Sequence, residues 1–225
     1  SMNWEDEGYL VSKNKFRENA IIIDIFTKNF GKVSGIVYGG TSRKQKNFLQ
    51  LSNKLHIIYS SKAENKLGYF KTELIEAISP KYFNNQIKTI CLNSLSSLIK
   101  ILLPENETQK KIYNSLDNFF LNFDNNNWIN SYLNWEMNLI RDLGYGLPIE
   151  TSKFDNLNKN IVKVKFDNKI YEIPVFIIKN EYENIDNENI QKGLIFSRTL
   201  MENKFFIPNN LRFPYSRRLL EKKIF

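Results

Sequence analysis

Residues 20–38 decide the fold, and they read AIIIDIFTKNFGKVSGIVY. Isoleucine occupies every second position across Ile21–Ile25, which predicts a strand with one face towards a core. The following turn ends at Gly31, which can take a positive φ at no steric cost. A second strand then runs through Gly35, where the missing side chain would let a barrel strand bend sharply. The stretch therefore predicts a β-hairpin.

The flanking sequence extends this hairpin to a larger sheet. Five short strands in roughly eighty residues suit a small closed barrel of the OB type. An SH3-like barrel fits less well, because the strands are longer and the connection after the third strand is extended. The strands are predicted at 8–12, 20–27, 33–38, 55–59 and 67–74.

After Pro80 the apolar residues recur at the helical period. We therefore expect an α+β fold, with an N-terminal five-stranded OB-type barrel over residues 1–80 and a C-terminal, mostly α-helical domain over 81–225. Asp167-Asn168 fits the turn of a small β-hairpin at 161–173. Helices are predicted at 87–102, from about 108, and at 127–143, 189–203 and 208–223.

The 225 residues carry a net charge of +8, with 32 basic and 24 acidic side chains. The 31 asparagines and abundant lysine are what an AT-rich genome produces, so the distribution is more informative than the total. Residues 1–80 hold 12 basic and 8 acidic side chains, residues 81–191 hold 12 and 14, and residues 192–225 hold 8 and 2. A surplus at both ends favours an anionic partner.

Catalytic, metal-binding and membrane signals are missing from the sequence. Cys91 and His56 are the sole residues of their types, which excludes an internal disulfide, a Cys-rich zinc site and most His-based catalysis. No apolar run reaches the ~18 residues of a membrane span, and the stretch Glu5–Glu7 is acidic, unlike a signal peptide. We expect a cytoplasmic protein that is not an enzyme, with no cofactor, metal or membrane contact.

A glycine-opened polar stretch is the first candidate for phosphate binding. Gly39 and Gly40 would let backbone N–H groups approach phosphate, and Arg43, Lys44 and Lys46 supply charge. A solvated turn in a lysine-rich chain is the alternative, and this stretch alone leaves both open.

A second basic cluster lies in the predicted loop between the first two strands, which borders the usual ligand face of an OB barrel. It consists of Lys13, Lys15 and Arg17. Two independent basic segments favour a nucleic acid as the partner. Phe16 and Phe48 could stack on bases, although core packing is the favoured interpretation of each.

The C-terminal helix carries a third group of cations interleaved with apolar residues. Such a helix packs on its apolar side and turns its cations outward, which suits phosphate or an acidic peptide. The group includes Arg217 and Arg218.

The order and spacing of several motifs resemble the bacterial recombination mediator family RecO. No single motif is diagnostic, but together they cover most of the chain. The similar stretches are Trp4–Ser12, Gly31–Arg43, Leu102–Glu105, Trp135–Leu147 and Phe213–Leu220.

The resemblance implies DNA repair and recombination in the RecFOR pathway, close to the nucleoid. It implies binding of single- and double-stranded DNA and annealing of complementary strands without ATP. It also implies partnership with RecR and with the acidic C-terminal tail of single-stranded DNA-binding protein, so that RecA can load. The family's basic barrel loops correspond to Lys13, Lys15, Arg17, Arg43, Lys44 and Lys46.

For the acidic tail, the resemblance leads us to expect a greasy pocket rimmed by arginine, since the tail ends in hydrophobic residues and a carboxylate. The candidates are Leu139, Ile140, Arg141 and Tyr145.

The chain departs from the family at one place, because many members carry a four-cysteine zinc ribbon where this chain has the 161–173 hairpin. We expect that hairpin to be a metal-free and soft remnant.

Two other classes of function stay open at the level of sequence. The OB barrel could bind protein or RNA without any annealing activity, its basic ends being incidental. An enzyme with dispersed catalytic residues is the least favoured alternative.

Overall fold

The computed structural model describes residues 2–64, 66–149 and 160–224. The chain forms two compact units, the first comprising Ser1–Tyr113 with Pro214–Leu220 and the second Asn114–Phe213 with Glu221–Phe225. These units are groups of contacting residues, and the predicted domain boundary at residue 80 stays a prediction.

The strands of the first unit are β1 (Met2–Arg17), β2 (Ala20–Thr27), β3 (Gly31–Tyr38), β4 (Lys54–Ser61) and β5 (Gly68–Glu76). They close into a barrel in the order β1-β2-β3-β5-β4. Neighbouring strands are antiparallel, except that β3 and β5 pair in parallel. This confirms the predicted five-stranded OB-type barrel.

β1 is longer than the sequence predicts, because it pairs with two neighbours in succession. Its first half, from Met2 to Tyr9, pairs with β4, and Gly8 onwards pairs with β2. The pairing with β2 contains a register shift between Leu10 and Ser12, just after this overlap. Leu10, at the start of this shift, belongs to the barrel core, where it is fully buried together with isoleucine side chains of β2.

The hydrophobic alternation of residues 20–38 places side chains as predicted, with Ile23 and Ile25 fully buried. Gly35 has a role that the sequence analysis missed. A Cβ at Gly35 would stand 2.5 Å from Cε2 of Phe70, so the glycine makes room for a core aromatic ring.

The Asp24 carboxylate in the barrel wall accepts hydrogen bonds from several side chains. Asp24 is 2% exposed and accepts hydrogen bonds from Ser12, Ser34 and the Lys100 ammonium group. Burial raises the pKa of Asp24, but the bonds from Lys100, Ser12 and Ser34 outweigh it and hold that pKa below its ordinary value. Lys32 donates to the Lys100 carbonyl oxygen. We call these five residues the Asp24 cluster.

The helices are α1 (Arg43–Phe48), α2 (Gln86–Leu102), α3 (Lys110–Leu121), α4 (Trp128–Asp142), α5 (Val175–Ile178), α6 (Asn187–Met201) and α7 (Tyr215–Lys223). A 3₁₀ turn spans Ser79–Tyr82, and a π-helical turn, Glu202–Phe206, follows α6. In the described part of the chain, no helix is both long and apolar enough to span a bilayer.

α7 begins later than the predicted start at residue 208. Pro214 directly precedes α7, and a proline disfavours helical backbone at the residue before it. Its carbonyl oxygen accepts the first hydrogen bond of this helix, from the Arg218 amide 3.2 Å away. The predicted third helix also forms, as α4, and its fully buried Glu136 accepts a hydrogen bond from Ser197 Oγ of α6 at 2.5 Å.

The second unit contains the predicted hairpin as β6 (Ile161–Phe166) and β7 (Lys169–Pro174). Both residues of its turn have positive φ, 50° at Asp167 and 61° at Asn168, which matches the twist of paired strands. Ile170 of β7 does not pack within the hairpin's apolar side, because it is 67% exposed. Tyr171 is buried instead, edge-on to Phe196 of α6 at a centroid distance of 6.3 Å.

Candidate nucleic-acid interface

The first basic segment is strand and not loop. Lys13, Lys15 and Arg17 all belong to β1, and the β1–β2 connection is reduced to two residues. Lys13 pairs with Ile23, and Lys15 pairs with Ile21. Directly opposite residues of an antiparallel pair share a face, so these two lysines lie on the same side of the sheet as the core isoleucines.

The second basic segment is a short helix and not an open loop. Arg43, Lys44 and Lys46 belong to α1, whose N-cap is Ser42. The Ser42 side chain accepts from the Gln45 amide at 3.3 Å, which starts the helix directly after the glycine turn.

Hydrogen bonds join the two basic segments. The Gly39 amide donates to the Asn19 carbonyl oxygen at 2.8 Å, and Lys13 Nζ donates to the Leu49 carbonyl oxygen just after α1 at 2.8 Å. Thr41 Oγ1 donates to the carbonyl oxygen of Glu18 at 3.4 Å. The end of the β1–β2 hairpin and α1 therefore form one surface.

A cavity of about 370 Å³ opens in this surface, and we call it the lysine cavity. Three of the six predicted barrel cations line it, Lys13, Lys15 and Lys46. Arg17, Arg43 and Lys44 are exposed but lie outside the lining. The remaining lining residues are Asn14, Glu18, Ile21, Gly40, Thr41 and Leu49.

The lysine cavity carries uncompensated positive charge. Among the residues that the structure describes, none of the six barrel cations forms an ion pair with a carboxylate, although Glu18 lies in the lining. Burial, and then the charge of Lys46, lower the pKa of Lys13 below that of an ordinary lysine. An anion placed between the ammonium groups would relieve this repulsion, so the site suits a phosphate group.

The two aromatic candidates, Phe16 and Phe48, differ in their burial. Phe48 packs against the barrel core, as the favoured interpretation held. Phe16 does not, because it is 39% exposed, with the Arg17 guanidinium carbon 4.9 Å from its ring centroid. Sequence reasoning missed Tyr38, which is 53% exposed and stacks on Tyr69 with 5.4 Å between ring centroids. Its position directly before a glycine pair was the available signal.

The outward orientation predicted for Arg217 is wrong, because Arg217 is fully buried. It shares one face of α7 with the buried Leu220, three residues later, and therefore lies on the packed stripe. A buried guanidinium group does not reach a DNA backbone. Arg218 is exposed on the same helix and stays a candidate.

A second cavity of the first unit has the opposite character. It measures about 610 Å³ and is lined in part by Trp4, Phe30 and Tyr59, with Trp4 stacked on Phe30 at 4.1 Å. Glu64 and Glu105 also line it. Lys66 is the one cation among the described lining residues, so two carboxylates outnumber it and the cavity is less suited to phosphate than the lysine cavity.

The predicted tail-binding residues are partly brought together in the second unit. Ile140 and Arg141 line a cavity of about 350 Å³ that is otherwise mostly apolar. Leu139 is buried outside the lining, and Tyr145 lies edge-on to Phe205 at 5.6 Å, also outside it. The apolar lining includes Leu147, Ile149, Ile173, Ile177, Phe196 and Leu200.

Arg141 stands at this cavity with most of its side chain in solvent. Its side chain is 64% exposed, and its Nε donates to Asp142 Oδ1 at 3.2 Å. Tyr182, another lining residue, has its pKa raised by burial, against the opposing charge of Arg141. The cavity thus combines an apolar interior with one exposed cation, Arg141.

A closed OB-type barrel with lysines gathered at one surface is the architecture of proteins that bind nucleic acids through their phosphates. The family comparison agrees with this class. Residues 2–78 match the family model described as Recombination protein O N terminal, and residues 84–152 match Recombination protein O C terminal. The chain belongs to the RecO family, which acts in DNA repair and recombination.

Curated relatives support the assignment over most of the chain. A DNA repair protein RecO from Wolbachia sp. subsp. Drosophila simulans (strain wRi) is 28% identical over 239 residues, covering 97% of this chain and 99% of the relative. Those from Ehrlichia chaffeensis and Roseobacter denitrificans are 34% and 30% identical over 162 and 164 residues. They cover 71% and 72% of this chain, and 66% and 68% of their own lengths. The family resemblance seen in the sequence is confirmed.

Proposed function

We propose that this protein is a recombination mediator that binds single- and double-stranded DNA and anneals complementary strands without ATP. Acting with RecR, it helps to load RecA at gaps. Family membership supports the repair role, and the lysine cavity supports the DNA contact. The single observation that carries the proposal is the convergence of Lys13, Lys15 and Lys46 on one cavity.

Annealing by such a surface requires no bond chemistry. Two complementary strands repel each other through their phosphates, and cations that neutralise part of that charge raise the rate of encounter. Contacts to phosphates carry no sequence information, so the binding is indifferent to sequence. Arg17, Arg43 and Lys44 lie on the segments that form the cavity and extend its cationic border.

The test is the annealing of two complementary labelled oligonucleotides in the absence of nucleotide and metal. The variant carries Lys13→Ala, Lys15→Ala and Lys46→Ala together, and we expect its annealing rate to fall about tenfold or more. The control carries Lys62→Ala, Lys110→Ala and Lys111→Ala, which remove the same charge from exposed positions of the first unit. Equal annealing rates for variant and control would show that the lysine cavity does not contribute to DNA binding.

The same measurement separates the alternative class. A protein- or RNA-interaction module would leave the annealing rate at the protein-free value and would show no affinity for single-stranded DNA at moderate salt. Retention of a labelled RNA under those conditions would favour the RNA alternative.

The apolar cavity of the second unit is the proposed site for the acidic tail of single-stranded DNA-binding protein. Its greasy lining suits hydrophobic terminal residues, and Arg141 suits the terminal carboxylate. We expect Arg141→Glu to weaken binding of a labelled acidic peptide, ending in hydrophobic residues and a free carboxylate, several-fold. Lys169→Glu, at an exposed position of the same unit, is the matched control. Equal weakening in both variants would show that Arg141 acts through the general charge of the protein and not through a specific contact with the peptide.

A further inference from the structure

Tyr38 and Tyr69 form an exposed aromatic pair on the barrel. Their ring centroids are 5.4 Å apart and their planes lie within 19° of each other. Tyr38 is 53% exposed, and Tyr69 is half-buried. Tyr69 stacks on Tyr38, and more than half of Tyr38 stays exposed to an incoming planar group.

The strand register explains why the two rings meet outside the barrel. Val33 and Val37 of β3 pack in the barrel core. Alternate residues of a strand point to opposite faces, so Tyr38 lies on the outer face. Ile36 pairs with Tyr69 of β5 in the parallel ladder, which makes Tyr38 the diagonal neighbour of Tyr69 on that face.

Cations flank this pair. Tyr38 leads directly into the turn that begins α1, and Thr72 Oγ1 of β5 donates to Gln45 Oε1 of α1 at 3.4 Å. This bond fixes α1 to the strand that carries Tyr69, although Thr72, three residues after Tyr69, points to the opposite face of β5. Lys71 follows Tyr69 by two residues, so it is exposed on the same face about 7 Å along the strand. Glu73, another two residues on, limits the basic surface in that direction.

We propose that Tyr38 and Tyr69 are a base-stacking platform for single-stranded DNA, with the cations of α1 and Lys71 contacting the adjoining phosphates. This inference rests on the proposed DNA-binding function and deepens it. Every base presents a π face, so stacking on tyrosine adds affinity without sequence preference. A duplex keeps its bases stacked inside the helix, so the platform favours single strands over duplex.

Three DNA probes of equal length test the platform: a mixed-sequence single strand, an abasic single strand with the same phosphates, and a duplex. We expect Tyr38→Ala to weaken binding of the first about tenfold and to leave binding of the other two unchanged. Tyr38→Phe keeps the ring and should bind all three as the unchanged protein does. Phe83→Ala removes another exposed ring, 67% exposed and in the same unit, and serves as the control.

A second readout does not depend on the loss of a side chain. Tyr38→Trp places an indole at the platform, and its emission should be quenched by the mixed-sequence strand but not by the abasic strand. Unchanged single-strand affinity in Tyr38→Ala, with the lysine-cavity variant still impaired, would overturn the platform and leave the proposed function intact. Equal losses on all three probes would also overturn it. Absence of any DNA binding by the unchanged protein would overturn both.

Discussion

Two groups of lysines in the first unit have opposite surroundings. In the Asp24 cluster, the Lys100 ammonium bonds to a buried carboxylate, and Lys32, 4% exposed, reaches a backbone carbonyl oxygen. In the lysine cavity, the cations keep no ion pair within the described residues. One set of positive charges is therefore used to hold the barrel to α2, and the other is left available to a ligand.

A count of basic residues therefore says little about binding. Lys32 belongs to the same surplus of the first eighty residues as Lys13. Both lysines donate to a backbone carbonyl oxygen, but Lys32 is buried near the Asp24 carboxylate, whereas Lys13 is exposed and has no carboxylate partner within the described residues. The position of the partner acid, and not the number of lysines, decides whether a charge serves stability or binding.

The largest effect is expected from breaking the Asp24 cluster. Asp24→Ala leaves Lys100 and two hydroxyl groups without their acceptor, so the free energy of unfolding should fall by about 2–4 kcal/mol. Denaturant titration at pH 7 measures this. Glu64→Ala, at an exposed carboxylate of the same unit, is the control and should change stability little. A loss below about 1 kcal/mol would show that the cluster is no stronger than a surface ion pair.

The next largest effect concerns DNA affinity and should appear only in the lysine cavity. Removing Lys13, Lys15 and Lys46 should flatten the dependence of log affinity on log salt by about 2 units for single strands, since each phosphate contact contributes about 0.7. Stability should fall by no more than about 1 kcal/mol, because the side chains are exposed and the one hydrogen bond they lose in the described part of the chain is that from Lys13 Nζ to the Leu49 carbonyl oxygen. Lys100→Gln should do the reverse, lowering stability while keeping the salt slope. A flattened slope in Lys100→Gln would mean that Lys100 also contacts DNA.

Much of the fold could be predicted, because it depends on local periodicity. The period of two in residues 20–38 and the helical period after Pro80 gave the barrel and the main helices. α1 was missed, because its residues carry no apolar stripe and its start depends on the Ser42 cap. The full length of β1 was missed, because its polar ends gain their partners from β2 and β4.

The site was less predictable, because it is non-local. Lys13 and Lys46 are far apart in sequence, and their meeting depends on the barrel register and on where α1 begins. The error at Arg217 was avoidable, because Leu220 and Ile224 follow it at the spacing of one helix face and mark that face as buried. The Tyr38–Tyr69 pair required the parallel β3–β5 pairing, which sequence alone did not supply.

A smaller effect on the free energy of unfolding is expected when low pH protonates Asp24. The pKa of Asp24 is lowered in the folded protein, despite the opposing effect of burial, by hydrogen bonds from Lys100, Ser12 and Ser34. Its stabilising contribution is therefore complete above the unfolded pKa, near 3.8, and is lost as pH falls through the folded pKa. We expect Asp24→Asn to flatten the decline in unfolding free energy below pH 5. An equally steep decline in that variant would assign the acid sensitivity to other carboxylates.

The smallest effect is expected from alkali at the lysine cavity. Burial and the neighbouring Lys46 lower the pKa of Lys13, so Lys13 loses its proton at a lower pH than an ordinary lysine. Phosphate binds the charged form, so DNA binding should take up protons, and affinity should fall as pH rises above neutral. We expect fluorescence polarisation between pH 7 and about 9.5 to show a weaker decline in Lys13→Ala than in the unchanged protein. Lys62→Ala, which leaves the cavity intact, should decline as the unchanged protein does. Parallel declines in all three proteins would mean that Lys13 contacts no phosphate, and the cavity would then bind DNA through Lys15 and Lys46 alone.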